Sequence, residues 1–316
     1  MKYQLFHYRT DGDVVRTGMA VATHCYDLAT VAGNDAIAAW SIDAMLDDWS
    51  AACAKLEALA AEVSMNPSRA AAAALDREKI SFAPPLVRPG VIYAAGANYR
   101  DHVAAMSKAF NMKLSLDPKS EGIAPWHFIK AGRGTLAAHR ERVAMPGHTK
   151  TLDWEAELAI VMGRRARNVS IDNALDYVAG YTCANDLSAR DNLRRDNVDA
   201  SSPFRFDWIG HKCFTGACPL GPMLTPAQFV ASPENLDIKL WLNDQLRQDS
   251  NTSNHLYGVA EQIAYLSGRL ELFPGDVILS GTPAGVGMES QTFLRPGDVM
   301  RVWIEGLGEL ETTIAP

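Results

Sequence analysis

Two glutamates that alternate along an apolar segment are the first residues with a clear chemical use. Glu155 and Glu157 lie in LDWEAELAIVMGR (152–164). A strand has a side-chain period of two, so both carboxylates point to one face while Leu158 and Ile160 point to the other. Two adjacent carboxylates repel one another unless a hard divalent cation joins them, and oxygen ligands suit magnesium, manganese or calcium. A solvent-facing acidic edge is the alternative, but the apolar residues downstream favour a buried strand.

A third carboxylate, Asp186, follows another apolar segment. It lies in GYTCANDLSARD (180–191), where a predicted strand gives way to a polar, helix-like stretch. An aspartate in this position commonly caps the helix that follows. It can also be a third ligand of the site that the two glutamates suggest. The spacing alone does not separate these two interpretations.

Three more segments carry residues that catalysis can use. AGANYRDH (95–102) follows an apolar strand and ends in His102, which suits a general base because the unperturbed pKa of histidine is ~6.5. In HKCFTGACPLGP (211–222), Lys212 precedes a turn-rich segment and is either a surface lysine or a positive charge fixed in a site. LSGTPAGVG (279–287) can present backbone N–H groups to an anion, but it lacks the GxGxxG pattern of a dinucleotide site.

The composition is that of an ordinary globular protein. The chain has 316 residues, of which 47% are hydrophobic and 21% charged, and its formal net charge is −7. Acidic and basic residues alternate, so nucleic acid is not an expected partner. We find neither a secretory h-region nor the ~18 to 20 apolar residues of a membrane span, and therefore expect a cytoplasmic protein without a membrane partner. Five scattered cysteines without a CxxC pair indicate reduced thiols rather than disulfides or a zinc site.

The first part of the chain predicts a small α+β domain. Short strands and a turn occupy residues 1 to about 32, and residues 41–63 have helical spacing with Ser41 as a candidate N-cap. A second, alanine-rich helix is predicted over 69–79. The proline-rich connector APPLVRPG (83–90) is the best boundary in the chain, so we place one domain over 1–83 and the main domain over 84–316.

The main domain is predicted to be rich in strands. Seven segments have strand character: VIYAAG, WHFIK, AELAIVMG, DYVAGYTCAND, LDIKLWLND, DVILSGTP and DVMRVWIEG. One strong amphipathic helix is predicted over 253–270, and there is no regular alternation of strands and helices. We therefore expect a twisted or rolled sheet and not a Rossmann fold. The polar, weakly patterned stretch around 103–125 is where we expect a mobile lid.

Taken together and in this order, these segments resemble the fumarylacetoacetate hydrolase family. The resemblance covers about residues 85 to 316 and includes ExE followed by NDxxARD, which is a specific combination. The matching segments are GANYRDH, DWEAELAIVMGR, GYTCANDLSARD, HKCF…CPLGP, LRQDSNTS, GDVILSGTPAGVG and LRPGDVMRVWIEGLGEL. The resemblance implies an α+β fold with a mixed β-roll, a small N-terminal domain and a homodimer.

The resemblance also implies roles for individual residues. Its metal, which is magnesium, manganese or calcium, is held by residues that match Glu155, Glu157 and Asp186. His102 matches the family's catalytic histidine, and Lys212 matches a lysine that stabilises the enolate or carboxylate of the substrate. Substrate contacts are expected at Arg100, in the active-site entry, and at Thr282, in the GTPAG loop. The substrates implied are small keto or diketo acids.

Two positions depart from the family pattern. A glutamate three residues after the histidine pairs with it in related sequences, and here that position is Ala105. Related sequences also place a glutamine near the reacting carbonyl, where this chain has Leu193. Both changes remove a polar group that would orient water. Either a lid residue such as Glu121 takes over, or the reaction does not need a held water.

Three functions therefore follow as alternatives. The first is metal-dependent hydrolysis of a C–C bond in an acylpyruvate or related diketo acid, within a catabolic pathway. The second is decarboxylation or isomerisation of a 2-oxo-dienedioate type of substrate, in which the metal and Lys212 suffice. The third is a ligand-binding protein that keeps the metal site without turnover.

Overall fold

The computed structural model describes residues 1–66 and 70–316. Its main feature is a large mixed sheet to which both the N-terminal and the C-terminal parts of the chain contribute strands. Strands β1 to β5 are Tyr3–Arg9, Val15–Val21, His24–Asp27, Ala74–Leu75 and Ser81–Ala83. Strands β6 to β14 are Ile92–Ala95, His127–Lys130, Leu136–Ala137, Arg142–Ala144, Leu152–Asp153, Ala156–Met162, Val178–Asn185, Ser188–Ala189 and Cys218–Pro226. Strands β15 to β19 are Asp237–Leu242, Gln245–Asn251, Val277–Leu279, Val299–Ile304 and Gly308–Ala315.

The helices are fewer and mostly short. Helices α1 to α8 are Leu28–Ala32, Ile42–Met45, Trp49–Met65, Arg100–Ala109, Gly132–Thr135, Trp208–Lys212, Val259–Arg269 and Gly287–Ser290. Turns of 3-10 helix cover Asp11–Asp13, Ala36–Ala39, Leu46–Asp48, Ala71–Ala73, Arg77–Lys79, Ile171–Tyr177, Arg190–Asn192, Pro203–Arg205, Ala227–Phe229 and Thr252–Asn254. Over the described residues, none of the helices has the length and apolar character that crossing a membrane requires.

The sheets are mixed, which confirms the α+β class. Within the described residues, twelve strands form the large sheet along the path β4-β3-β2-β1-β14-β12-β11-β17-β6-β7, with β5 added at β1 and β8 at β14. Five strands form a second sheet in the order β16-β15-β18-β19-β9. Most pairs are antiparallel, but β6 with β17, β8 with β14 and β9 with β19 are parallel.

Strand β11 lies at the centre of the fold and is buried on both faces, as the sequence predicted. Leu158 and Ile160 pack into the core shared with the second sheet and α7. Ala159 and Val161 pack on the opposite face, against the N-terminal helices. Because both faces are covered by apolar side chains, a carboxylate at the start of this strand is carried into the interior.

The N-terminal segment shares its sheet and core with the rest of the chain. Strand β1 pairs with β14, with Leu5 opposite Leu224. Tyr3 and Leu5 belong to the same buried cluster as Val161 and Leu279. The predicted domain boundary between residues 83 and 84 stays a prediction. Apolar packing is continuous across that boundary.

Several predicted helices differ in their limits. Ser41 does cap a helix, by accepting from the Ala44 N–H, but that helix ends at Met45 and a second one begins at Trp49 with Asp48 as its cap. The helix predicted over 253–270 begins only at Val259, after a turn at 252–254.

The alanine-rich helix predicted over 69–79 is wrong for its described part. Ala74 and Leu75 form β4, which pairs with Tyr26 and Cys25 of β3, and Asp76 caps a 3-10 turn by accepting from Glu78 N–H. Tertiary pairing thus overrides the helix propensity of alanine. Residue 69 itself lies outside the described residues.

Two other segments differ from their sequence-based description. The segment after Lys212 is turn-like only to Ala217, because from Cys218 onward it forms β14, a strand paired with both β1 and β12, although prolines are unusual in such a position. The stretch predicted as a lid begins as helix, because α4 continues to Ala109, and residues 110–125 lack regular structure; its role as a lid stays a prediction.

Candidate active site

Three carboxylates meet where β11 and β12 are paired. Glu155, Glu157 and Asp186 each offer an oxygen, and these oxygens all lie within 4.8 Å of one another. The backbone fixes this arrangement, because Asp186 N–H donates to Glu155 O at 2.8 Å and Glu155 N–H donates to Asn185 Oδ1 at 2.9 Å. Asp186 caps no helix, since β12 ends at Asn185 and a bend leads to β13. The site is thus a preformed set of oxygen ligands that fits a hard divalent cation.

Three cations, two of them buried and one largely buried, neutralise most of this negative charge. Lys212 Nζ donates to Glu155 Oε2 and to Asp186 Oδ2, both at 2.7 Å. Arg190 donates to Glu155 Oε1 at 2.6 Å, and Lys130 donates to Asp186. Sequence reasoning missed the two last cations.

One carboxylate remains without a cation. Glu157 makes no ion pair with a described residue, and its Oε2 accepts from the Gly281 N–H at 2.7 Å. Four buried carboxylates therefore face three cations, and the fourth carboxylate is Asp153, which accepts from Arg190 Nε at 2.9 Å. A divalent ion would supply the missing positive charge.

The pKa shifts of the buried groups in this cluster follow from the same balance of carboxylates and cations. Burial alone would raise the pKa of Glu155, but Lys212 and Arg190 hold it below its usual range. Burial raises the pKa of Glu157 well above its ordinary value, and the charges of Asp186 and Glu155 raise it further. Burial opposes the charge of Lys212, yet the two carboxylates that it contacts raise its pKa. In the absence of metal, this raised pKa favours the protonated form of Glu157, and metal binding must displace that proton.

Asp153 connects the carboxylate cluster to a short helix. Besides Arg190, it accepts from the N–H groups of Gly287 at 2.6 Å and Met288 at 3.0 Å, which begin α8. A Cβ on Gly287 would lie 2.0 Å from the Thr292 carbonyl oxygen, so only glycine fits this approach. The orientation of α8 is thereby fixed relative to the cluster.

His102 has a carboxylate partner, and that partner comes from α8. His102 Nδ1 lies 2.7 Å from Glu289 Oε1, and Glu289 Oε2 accepts from the Gly285 N–H at 2.8 Å. Both oxygens of Glu289 are thus engaged. A hydrogen on Nδ1 directed at the carboxylate leaves the Nε2 lone pair free, which is the state of a general base.

The lid glutamate does not take this role. Glu121 is exposed, and its Oε1 accepts from Ser115 Oγ at 2.5 Å within the same loop. The suggestion that Glu121 replaces the glutamate missing at Ala105 is therefore wrong in this structure. Glu289 was overlooked because it lies 187 residues from His102 and only the fold joins them.

Of the two residues expected to bind substrate, Thr282 lines the active-site cavity and Arg100 does not. Thr282 is buried beside the cluster, and its hydroxyl accepts from Gln248 Nε2 at 2.8 Å. Arg100 begins α4, but its guanidinium is exposed and donates to the Leu116 carbonyl. A cavity of about 190 Å³ is lined by His102 and Thr282 together with the metal-site glutamates, and Arg100 does not line it.

Known proteins resemble this chain over most of its length. A sequence family described as "Fumarylacetoacetate (FAA) hydrolase C-terminal" matches residues 91–315. Oxaloacetate tautomerase Fahd2a, mitochondrial, of Rattus norvegicus is 33% identical over 253 residues, which are 78% of this chain and 74% of that protein. Oxaloacetate tautomerase FAHD2A, mitochondrial, of Homo sapiens is 35% identical over 254 residues, again 78% and 74%.

Solved structures agree over the whole chain. Fumarylacetoacetate hydrolase from Exiguobacterium antarcticum is 26% identical, with a TM-score of 0.72 and 99% of each chain covered. Maleylpyruvate hydrolase from Sphingobium sp. SYK-6, in complex with manganese(II) ion and pyruvate, is 27% identical, with a TM-score of 0.70 and 98% of each chain covered. The resemblance inferred from the sequence motifs is thus confirmed.

Proposed function

We propose that this chain, which belongs to the fumarylacetoacetate hydrolase family, is a divalent-metal-dependent hydrolase that cleaves a C–C bond of an acylpyruvate or related diketo acid. The observation that carries this proposal is the pair of His102 and Glu289 beside the carboxylate cluster. A histidine held by a carboxylate can take a proton from water and return it to carbon. The missing glutamate at Ala105, which argued against hydrolysis in the sequence, is thereby replaced.

Glu155, Glu157 and Asp186 would hold the metal. Magnesium is our first choice because the ligands are all oxygens, and manganese is the ion bound in the maleylpyruvate hydrolase structure. When bound, the ion would supply Lewis-acid polarisation of the keto acid oxygens. The residues expected to hold it are preorganised, since the backbone and Asn185 fix them without a ligand.

The protein's own residues account for the proton movements. His102 removes a proton from water, and the hydroxide adds to the acyl carbon of the substrate. The bond between the acyl carbon and the methylene carbon breaks, which releases a carboxylic acid and leaves an enolate of pyruvate. The Lys212 ammonium stabilises the negative charge that develops on the enolate. The protonated His102 then returns its proton to the methylene carbon, so that pyruvate is formed and the base is regenerated.

Keto–enol tautomerisation of an oxaloacetate-like acid is the second candidate. It is favoured by the names of the rat and human relatives, which are 33% and 35% identical. The same histidine can move a proton between carbon and oxygen without a water. Leu193, which lines the cavity where a polar residue would hold water, agrees with that simpler reaction. Decarboxylation uses the same enolate and remains open, whereas an intact histidine–carboxylate pair argues against a protein that only binds ligand.

Product analysis tests the proposal. Purified protein with Mg²⁺ or Mn²⁺ is incubated with acetylpyruvate or oxaloacetate, and the enol absorbance is followed while products are separated. Equal amounts of acetate and pyruvate from acetylpyruvate are expected, and metal-stripped protein should form neither. Equilibration of enol and keto oxaloacetate without any cleavage of acylpyruvates would replace hydrolysis by tautomerisation.

We also propose that the protein acts as a homodimer on small molecules alone. The family resemblance supports the dimer, and light scattering of the purified protein tests it, since a monomeric mass would exclude it. The cytoplasmic location stays a prediction, while the rat and human relatives are named as mitochondrial proteins.

A further inference from the structure

Three aromatic rings form one wall of the active-site cavity. The Trp208 ring stacks on Phe128 with centroids 5.4 Å apart and planes inclined by 19°. Trp126 contacts both, with centroid distances of 5.5 Å to Trp208 and 5.7 Å to Phe128. Trp126 is 52% exposed, which is unusual for a side chain of this size. We call these three residues the aromatic wall.

The aromatic wall is carried by the same elements as two cations of the carboxylate cluster, Lys130 and Lys212. Phe128 and Lys130 alternate along β7 and therefore share one face of that strand, and Trp126 directly precedes it. Trp208 and Lys212 lie four residues apart in α6, which places them on one helix face. The wall is thus held against the reacting centre by the backbone.

The wall also lies directly beside the reacting groups. Lys212 Nζ is 5.0 Å from the centre of the Phe128 ring, within cation–π range. Gly96, which follows β6, allows the wall to close, because a Cβ there would lie 1.8 Å from the Trp126 ring. The rings are therefore next to any substrate whose keto acid group meets Lys212.

The charges around the cavity argue for an uncharged substituent. Among the described residues, the lysine and arginine side chains lining this cavity are Lys212 and Arg190, and both are already paired with carboxylates. His211 lines it too, but burial and the nearby Lys212 lower its pKa to about 3, so it is neutral. The wall continues into the apolar side chains of Leu193 and Met106. A second substrate carboxylate would lose its hydration here without gaining a partner.

Building on the proposed hydrolase function, we propose that the aromatic wall selects diketo acids whose acyl substituent is a flat, uncharged group such as an aromatic ring. The keto acid end of such a substrate meets the metal site, while the substituent stacks on Trp126 and Trp208. Dicarboxylates, in which the substituent ends in a second carboxylate, are then poor substrates.

Turnover of three matched acylpyruvates tests this selection. Benzoylpyruvate, acetylpyruvate and fumarylpyruvate share the reacting group and differ in the substituent. We expect kcat/KM for benzoylpyruvate to exceed that for fumarylpyruvate by at least tenfold, and equal or better turnover of fumarylpyruvate would overturn the inference. If none of the three is cleaved, the hydrolase proposal fails, and the selectivity of the aromatic wall is then tested by ligand binding. In that case, phenylpyruvate should quench tryptophan fluorescence at lower concentration than oxaloacetate in the presence of Mg²⁺, and the reverse order would refute it.

Substitutions in the wall test it residue by residue. Trp208→Ala should lower the ratio of kcat/KM for benzoylpyruvate to that for acetylpyruvate by about tenfold, because stacking area is lost. Phe204→Ala is the matched control, since Phe204 lies on the same segment, is 72% exposed and does not line the cavity. That control should keep the ratio. A Trp208→Ala protein that folds but keeps the ratio as well would contradict the role of the wall.

Discussion

His102 Nδ1 lies 2.7 Å from Oε1 of Glu289, a residue 187 positions further along the chain. The family resemblance implied a carboxylate at the position of Ala105, and the carboxylate beside His102 comes from α8 instead. Asp153 holds the start of α8 and also binds Arg190, so one buried aspartate connects the partner of His102 to the carboxylate cluster. The carboxylate beside the histidine is thus a residue that only the fold brings near.

Glu157→Gln should remove metal binding without weakening the metal-free fold. Glu157 is the carboxylate without an ion pair among the described residues, and its buried charge is unfavourable when no metal is bound. We expect calorimetric titration with Mg²⁺ or Mn²⁺ to show at least a hundredfold loss of affinity, with an unchanged or higher Tm of the metal-free protein. Wild-type metal affinity in this variant would remove Glu157 from the site.

Asp186→Ala should behave differently, because this carboxylate has two buried partners. Its removal leaves Lys130 without a carboxylate and Lys212 with Glu155 alone, and breaking a buried pair in this way costs about 3–5 kcal/mol. Urea unfolding of the metal-free protein measures this loss. Glu121→Ala, at an exposed carboxylate, is the control and should be neutral. A metal-free stability equal to wild type would show that the two lysines are not held as the structure places them.

Metal binding should release a proton and tighten as the pH rises. The folded-state pKa of Glu157 is raised above its unfolded value, so below that raised pKa the site is protonated and a cation must displace the proton. Without metal, this group makes the fold less stable as the pH rises from its unfolded value towards the raised pKa. Titrations in two buffers of different ionisation enthalpy measure the released protons. A heat of binding that is independent of the buffer would contradict this prediction.

Lys212→Met should lower kcat by roughly 10², the scale of losing one preorganised donor at a developing charge. Lys212 is 4% exposed and contacts two of the carboxylates, so the fold must be checked by its Tm. Lys113→Met, at an exposed lysine, is the control and should keep full turnover. A near-normal kcat in the folded Lys212→Met protein would leave the lysine with a purely structural role.

The sequence was sufficient for what depends on local pattern. The segment EAELAIVM predicted a buried strand with two glutamates close together at its start, and the structure has a buried strand at 156–162 with Glu155 and Glu157 near one another. The same reasoning could have found Lys130, because it shares a strand face with Phe128. A local sequence pattern does not show which distant segment will pack against it in the fold.

The errors have that common cause. Strand β14 looked like a turn because of its glycines and prolines, yet it is enclosed by β1 and β12. Glu289 was assigned no role, since its contact with His102 depends on α4 and α8 lying side by side. Local residue propensity limits where the chain can form a turn, and strand pairing in the tertiary structure determines where a turn actually forms.

The central claim is that the Glu289 carboxylate orients His102 for catalysis. The most direct test is kcat for acylpyruvate cleavage in Glu289→Gln and in the double variant Glu289→Gln/Ala105→Glu. We predict that Glu289→Gln lowers kcat about 10- to 100-fold, the usual cost of removing a carboxylate that orients a histidine. The added Ala105→Glu should restore part of that loss, because it returns a carboxylate to the histidine's own helix. A Glu289→Gln protein with the kcat of wild type would contradict the account.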